Sequence, residues 1–203
     1  DDYVVSGTKN WVTSGISSDY VILFAVTTQG IGHKGVSAFV VEKGWDGFSC
    51  GKPENKLGIR ASDTCELYFD NVKIPKENLI GEEGMGFKIA LATLDGGRIG
   101  IAAQALGIAQ ASLDASISYS KERIQFGKPI SANQGIQFKL ADMAMEIEAS
   151  RLIIRQAAFL KDRHLNFGPM ASMAKVYASE TAMKASTNCV QIHGGNGYMR
   201  ETG

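Results

Sequence analysis

An α+β chain with more than one domain is what this sequence predicts, with β sheet up to residue 83 and helices from residue 84 onward. Three observations lead there. Before Gly81 the apolar residues come in short β-branched runs cut by glycine, serine and proline. After Gly84-Met85-Gly86 they recur at three- and four-residue steps through three long stretches, which is the period of a helix face. A length of 203 residues also suits one large domain or two modest ones, with enough chain to bury a core.

Taken in order, residues 3–5, a Ser6-Gly7 turn and residues 9–13 predict a hairpin. Residues 20–27 and 36–41 are short, apolar and β-branched, and they flank the turn-rich Gln29-Gly30-Ile31-Gly32. Cys65, Leu67 and Phe69 alternate with Glu66, Tyr68 and Asp70, the pattern of a half-buried strand. Pro75 and Gly81 close this region. Helices are expected over 87–121, 133–161 and 169–191. They are separated by Phe126-Gly127-Lys128-Pro129 and Asn166-Phe167-Gly168-Pro169, which carry the glycine and proline of helix ends. Leu91, Leu94, Ile101, Ala105 and Ile108 stripe the first helix. Ile136, Leu140, Met143 and Ile147 stripe the second, and Met173, Val176 and Met183 the third. A methionine stripe of this kind reads as core. Helices this long need partners for their apolar faces, so at least one partner is expected from elsewhere in a longer chain or from another subunit.

Lys plus Arg and Asp plus Glu both total 21, giving no net charge. Nothing in that balance suggests a nucleic-acid or acidic-membrane surface, although a local phosphate site is compatible with it. No apolar run reaches the roughly 18 to 20 residues of a membrane span. Cys50, Cys65 and Cys189 are odd in number and lack metal-ligand spacing, so neither a disulfide framework nor a metal site is expected, and a reducing compartment is. Because the sequence opens without Met in the strand-like Tyr3-Val4-Val5, it reads as the interior of a longer protein.

Four clusters could carry chemistry. Asp95-Gly96-Gly97-Arg98 sets two glycines inside a helix, each costing roughly 1 kcal/mol against alanine. Such a pair suits a close approach of backbone to another helix or to a ligand. Asp95 and Arg98 share a face and can pair across one turn. In Lys9-Asn10-Trp11-Val12-Thr13-Ser14, strand alternation puts an indole and a hydroxyl on one side, which suits a flat heteroaromatic ligand as well as a sheet core. Arg123, Gln125, Phe126 and Gly127, followed by Gln134, set a cation beside a helix break, either as a phosphate fork or as a solvated helix-end charge. Gln191-Ile192-His193-Gly194-Gly195-Asn196-Gly197-Tyr198 is an ordinary helix stop, or a place where backbone N–H groups approach a pyrophosphate. His193 reads as a polar neighbour there rather than a base.

Together these residues resemble the acyl-CoA dehydrogenase family. The carrying stretches are KNWVTSG (9–15), KLGIRASDTCELYFDNVKIP (56–75), GMGFKIALATLDGGRIGIAAQALGIAQ (84–110), ERIQFGKPI (122–130) and QIHGGNGY (191–198). The 94–110 stretch is most similar to the short-chain, butyryl-type members. The resemblance implies most of a middle, barrel-like β domain (1–83), followed by the first three helices of a C-terminal helical bundle (84–203). It implies FAD as cofactor, with Trp11, Val12 and Thr13 against the flavin. Arg123, Phe126, Gln134, Gln191, Ile192, His193, Gly194 and Gly195 would reach an FAD held mainly by a neighbouring subunit. Asp95, Gly96, Gly97 and Arg98 would line the acyl-CoA site.

The implied reaction removes the α-proton of a short-chain acyl-CoA with a carboxylate while the flavin accepts the β-hydride, giving the trans-2-enoyl-CoA. Its base is expected beyond Gly203, since the alternative position on the first long helix holds Gly97. The 203-residue chain alone is accordingly expected to be inactive. An electron-transfer flavoprotein is the implied acceptor, a homotetramer (a dimer of dimers) the implied assembly, and the bacterial cytoplasm or the mitochondrial matrix the implied compartment. Two other readings share the residues: an acyl-CoA oxidase that passes electrons to oxygen, and a non-catalytic module whose helices serve only oligomerisation or binding.

Overall fold

The computed structural model describes residues 2–202. The chain divides by its packing into two units, with the division between Leu91 and Ala92. In the first, β1 (Tyr3–Thr13) runs antiparallel to β5 (Thr64–Ile74), and β4 (Phe48–Cys50) flanks β5 on its other side. β2 (Tyr20–Val26) and β3 (Val36–Glu42) form a separate antiparallel pair. The predicted hairpin within residues 3–13 is not there. Those residues make one long strand, and Ser6 sits opposite a bulge in β5 rather than in a turn. The extra residue is Asn71, in the left-handed region at φ 52°, a conformation asparagine tolerates. Its N–H donates to Ser6 Oγ at 3.1 Å.

The sheets do not close into a barrel among the described residues, because β2 pairs only with β3, and β1 and β4 each pair only with β5. The core of this unit is Leu23, Phe39, Val41, Cys65, Leu67, Phe69, Val72 and Ile74. Cys65, Leu67 and Phe69 are buried while Tyr68 and Asp70 face out, as their alternation predicts.

The glycines after the sheet have a steric cause. Gly84 lies at φ 82°, its N–H donating to the buried Ser37 hydroxyl at 2.9 Å. A Cβ on Gly86 would stand 2.6 Å from the Ser37 carbonyl carbon. Only glycine lets the first helix start against β3 at that distance.

That helix, α1 (Gly86–Glu122), is followed by α2 (Gln134–Asp162) and α3 (Gly168–His193), each close to its predicted bounds, with α3 running on to His193 past the predicted end at Gln191. Between α1 and α2, β6 (Ile124–Gln125) and β7 (Lys128–Pro129) make a two-residue hairpin that the sequence shows only as a helix break. The second unit's core joins Ala102, Ala105, Ala109 and Leu113 of α1 to Met143, Ile147, Ile154 and Ala157 of α2. Ala174, Ala178, Ala182, Ala185 and Ile192 of α3 complete it. The alanine face of α3 lets its backbone approach α2 closely.

Here the predicted stripes need correction. On α2, Met143 and Ile147 are buried as expected, but on α3 the large residues of the predicted stripe are not core. Met173 and Val176 are about half exposed and Met183 is 70% exposed, while the alanines face inward. Leu91, Leu94, Ile101 and Ile108 of α1 are likewise exposed, and Ala102, Ala105 and Ala109 fill the interior. α1 and α3 each have two apolar faces, one small and one large, and periodicity alone favours the larger.

Candidate ligand-binding site

The geometry that looks most like a binding site is a cavity of about 330 Å³ in the second unit. Its polar wall is Arg123, Gln125, His193, Gly194, Gly195 and Asn196, above Ile130 and Ile192. Three local structures converge to make it. The last turn of α1 delivers Arg123, whose N–H still donates to the Tyr119 carbonyl at 2.9 Å. The β6–β7 hairpin delivers Gln125. Gly194, at φ 59°, ends α3 in the left-handed region. The chain then winds through a short 3₁₀ turn (Gly194–Tyr198) back along α3, so tightly that a Cβ on Gly197 would lie 2.4 Å from the Val190 carbonyl oxygen.

This wall is rich in donors. Arg123 has no acidic partner among the described residues, and a Cβ added at Gly194 or Gly195 would meet nothing within 4 Å. Backbone there is open to a close approach by a ligand. An unpaired guanidinium, side-chain amides and exposed backbone suit a phosphate-bearing group. His193 is oriented by its ring Nδ1–H, which donates to the Cys189 carbonyl at 2.8 Å, and it stacks on Tyr119 with centroids 4.2 Å apart.

The cavity thus unites Arg123 with Ile192, His193, Gly194 and Gly195, roughly seventy positions apart in sequence. Phe126, Gln134 and Gln191 are exposed and do not line it. Phe126 is 99% exposed and sits with Gly127 in the two-residue turn, both at positive φ (52° and 77°). A left-handed aromatic costs on the order of 1 kcal/mol or more, and its ring is presented outward. Tyr119 carries no motif that marks it as part of a site. Its only signal is that it precedes Arg123 by one helical turn and so shares its face.

Trp11, Val12 and Thr13 lie in the first unit, at a bulge rather than on a regular strand. Between the pairs Lys9↔Leu67 and Val12↔Cys65, β1 carries one extra residue, and Trp11 takes φ 58°. Bulges re-aim side chains. Here Val12 packs on the core while Trp11, 71% exposed, and Thr13 face out. The loop after them is pinned by Asp63, whose carboxylate accepts from Ile16 N–H (2.8 Å) and the Ser17 hydroxyl (2.7 Å). The hydroxyl bond, then the backbone one, hold this carboxyl below its ordinary value of 3.8. Gly15 is obligatory in that loop, because a Cβ would stand 2.7 Å from the Cys65 sulfur.

Asp95, Gly96, Gly97 and Arg98 sit on α1 in the second unit, separated from Arg123 by roughly 38 Å of helix. Arg98 Nη1 donates to Asp95 Oδ1 at 2.5 Å and to Ser172 Oγ of α3 at 3.2 Å. A Cβ at Gly96 would lie 3.2 Å from the flexible Lys161 ammonium, and one at Gly97 would meet nothing within 4 Å. This chain's own packing therefore gives no reason for a glycine at 97. Among the described residues no cluster of metal-ligating side chains occurs, and no helix is long and apolar enough to cross a membrane.

Comparison with known proteins converges on one family. A model of the acyl-CoA dehydrogenase middle domain matches residues 1–72, and one of the acyl-CoA dehydrogenase C-terminal domain matches residues 84–203. An acyl-CoA dehydrogenase of Bacillus subtilis (strain 168) is 54% identical over 98% of this chain and 52% of its own length. The solved structure of butyryl-CoA dehydrogenase from Megasphaera elsdenii superposes with a TM-score of 0.97 at 52% identity, over 98% of this chain and 52% of that one. A chain from the solved structure of the electron transferring flavoprotein of Acidaminococcus fermentans superposes with a TM-score of 0.95 at 51% identity, over the same shares. The chain spans about half the length of the curated relatives it matches.

Proposed function

This chain belongs to the acyl-CoA dehydrogenase family, and from that premise we propose that its protein dehydrogenates short-chain acyl-CoA thioesters to trans-2-enoyl-CoA with FAD. The observation that carries the reading is the Arg123–Gly194–Gly195 cavity with the outward Phe126 beside it. Its donor set fits a dinucleotide's phosphates, and an exposed aromatic held at a left-handed φ suits contact with a second subunit. Bound FAD supplies the hydride acceptor.

The chain's residues supply the surroundings. Trp11, Val12 and Thr13 form the flavin-facing segment, with the Thr13 hydroxyl as a directed donor. Arg123, Phe126, Gln134 and Gln191 through Gly195 serve the cofactor of a neighbouring subunit. Asp95, Gly96, Gly97 and Arg98 serve the acyl-CoA: Arg98, anchored by Asp95 and Ser172, is a fixed donor, and Gly97 leaves room for the ligand. We assign the α-proton base to a carboxylate outside these residues, because Gly97 cannot act as one. Butyryl-type similarity supports the short acyl chain. An electron-transfer flavoprotein is the proposed acceptor, a homotetramer the proposed assembly, and the bacterial cytoplasm or mitochondrial matrix the proposed compartment.

The test is reconstitution of the full-length apoprotein with FAD, followed by air oxidation of the substrate-reduced enzyme. One FAD per subunit and slow reaction with oxygen are expected. Failure to take up FAD would refute the flavin reading, and fast peroxide formation would make the protein an oxidase.

A further inference from the structure

We propose that Tyr119 and Asn196 are positioning residues, a latch that holds the Gly194-Gly195 turn against α1 so that it and Arg123 form one wall. The inference rests on the reading of that cavity as a cofactor-phosphate subsite. The backbone after α3 is held locally: Gly194 N–H donates to the Gln191 carbonyl and Met199 N–H to the Asn196 carbonyl at 3.2 Å. These bonds tie the turn to α3 and to itself but not to α1. Gly194, Gly195 and Gly197 fall within the five residues of the 3₁₀ segment Gly194–Tyr198, and glycine has the largest conformational freedom to lose. The left-handed Gly194 ends the helix but does not aim the turn beyond it.

Two side-chain contacts supply the aim. Asn196 Nδ2–H donates to the Tyr119 phenol oxygen at 3.1 Å, spanning 77 positions of sequence. The Tyr119 ring stacks on His193 at 4.2 Å and 25° between planes, and His193 is itself braced by the Cys189 carbonyl. Tyr119 thereby grips the turn on both sides of the glycine pair. It stands four residues before Arg123 on α1, so grip and guanidinium share a helix face. Because the phenol oxygen accepts from Asn196, its own O–H stays free to donate into the cavity that Tyr119 also lines.

The experiment uses the full-length protein and three variants, Tyr119→Phe, Asn196→Ala and the double. Tyr119→Phe keeps the stack and removes the phenol oxygen, both as acceptor from Asn196 and as donor into the cavity, and Asn196 is exposed, so both fold. Amide hydrogen exchange at residues 194–198 is read in the cofactor-free protein, and FAD affinity is read by titration. Each single variant should speed exchange there and weaken FAD by about fivefold, the weight of one net hydrogen bond. In exchange of the cofactor-free protein the double should be no worse than either single, because the two changes cut the same bond. Unchanged exchange, or additive exchange effects in the double, overturns the latch. Faster exchange with undiminished FAD affinity overturns its role in positioning. If the unmodified protein takes up no FAD, the cofactor reading falls, while the exchange data still decide whether the latch exists.

Discussion

Arg123 is the residue on which the proposed cofactor binding turns. It lies at the end of α1 with no acidic partner among the described residues, facing a cavity whose other polar groups are amides, backbone, an imidazole and a phenol, with no carboxylate. Truncation should therefore remove attraction without stranding a buried charge. Arg123→Ala in the full-length protein should weaken FAD by roughly 1.5 to 3 kcal/mol, the scale of a charge-assisted hydrogen bond. Titration of the apoprotein measures this, and an unchanged affinity would contradict the phosphate role. Glycines give a second residue-level test, because the space around them differs. A Cβ at Gly97 meets nothing, whereas one at Gly86 meets Ser37 backbone at 2.6 Å. Gly97→Ala should stabilise by about 0.5 to 1 kcal/mol through helix propensity, and Gly86→Ala should destabilise by about 1 to 3 kcal/mol through overpacking. Denaturant unfolding of the two variants compares them, and equal effects would contradict the steric account.

At the scale of elements, the Trp11 bulge and the loop behind it form one device. Asp63 ties that loop by two good bonds to Ile16 and Ser17, and its carboxyl is held below 3.8. A depressed folded value means the tie contributes fully above the ordinary carboxylate range and is lost as pH falls through the lower folded value. Trp11 emission, read as the difference from a Trp11→Phe variant, should accordingly change only below pH 3.8, and Asp63→Asn should abolish that transition. A change centred near neutrality would contradict the assignment. These elements are unevenly legible in the sequence. The three helices show because period, glycine and proline agree over dozens of residues. Ser6-Gly7 misleads because turn chemistry and bulge chemistry use the same small residues. At three residues, β4 is too short to show a period at all. On α3 the alanine face is hard to see because alanine contributes little to an apolar stripe, though it packs the tightest interface. The Tyr119–Asn196 bond joins residues 77 apart, a pairing no local pattern encodes.

For the whole molecule, the unmatched features point the same way. Large apolar residues stand exposed on all three helices, and Phe126 presents its whole ring. The chain spans about half the length of its relatives, which accords with surfaces and catalytic groups completed elsewhere. We propose that a flavin-dependent, short-chain acyl-CoA dehydrogenation runs on this scaffold. Its most direct test is anaerobic titration of the FAD-loaded full-length protein with butyryl-CoA, following the flavin absorbance and the acyl product together. Bleaching of the flavin with formation of the trans-2-enoyl thioester is the expected result. Flavin that keeps its colour with butyryl-CoA, or bleaches only with long or branched acyl-CoA, would contradict it.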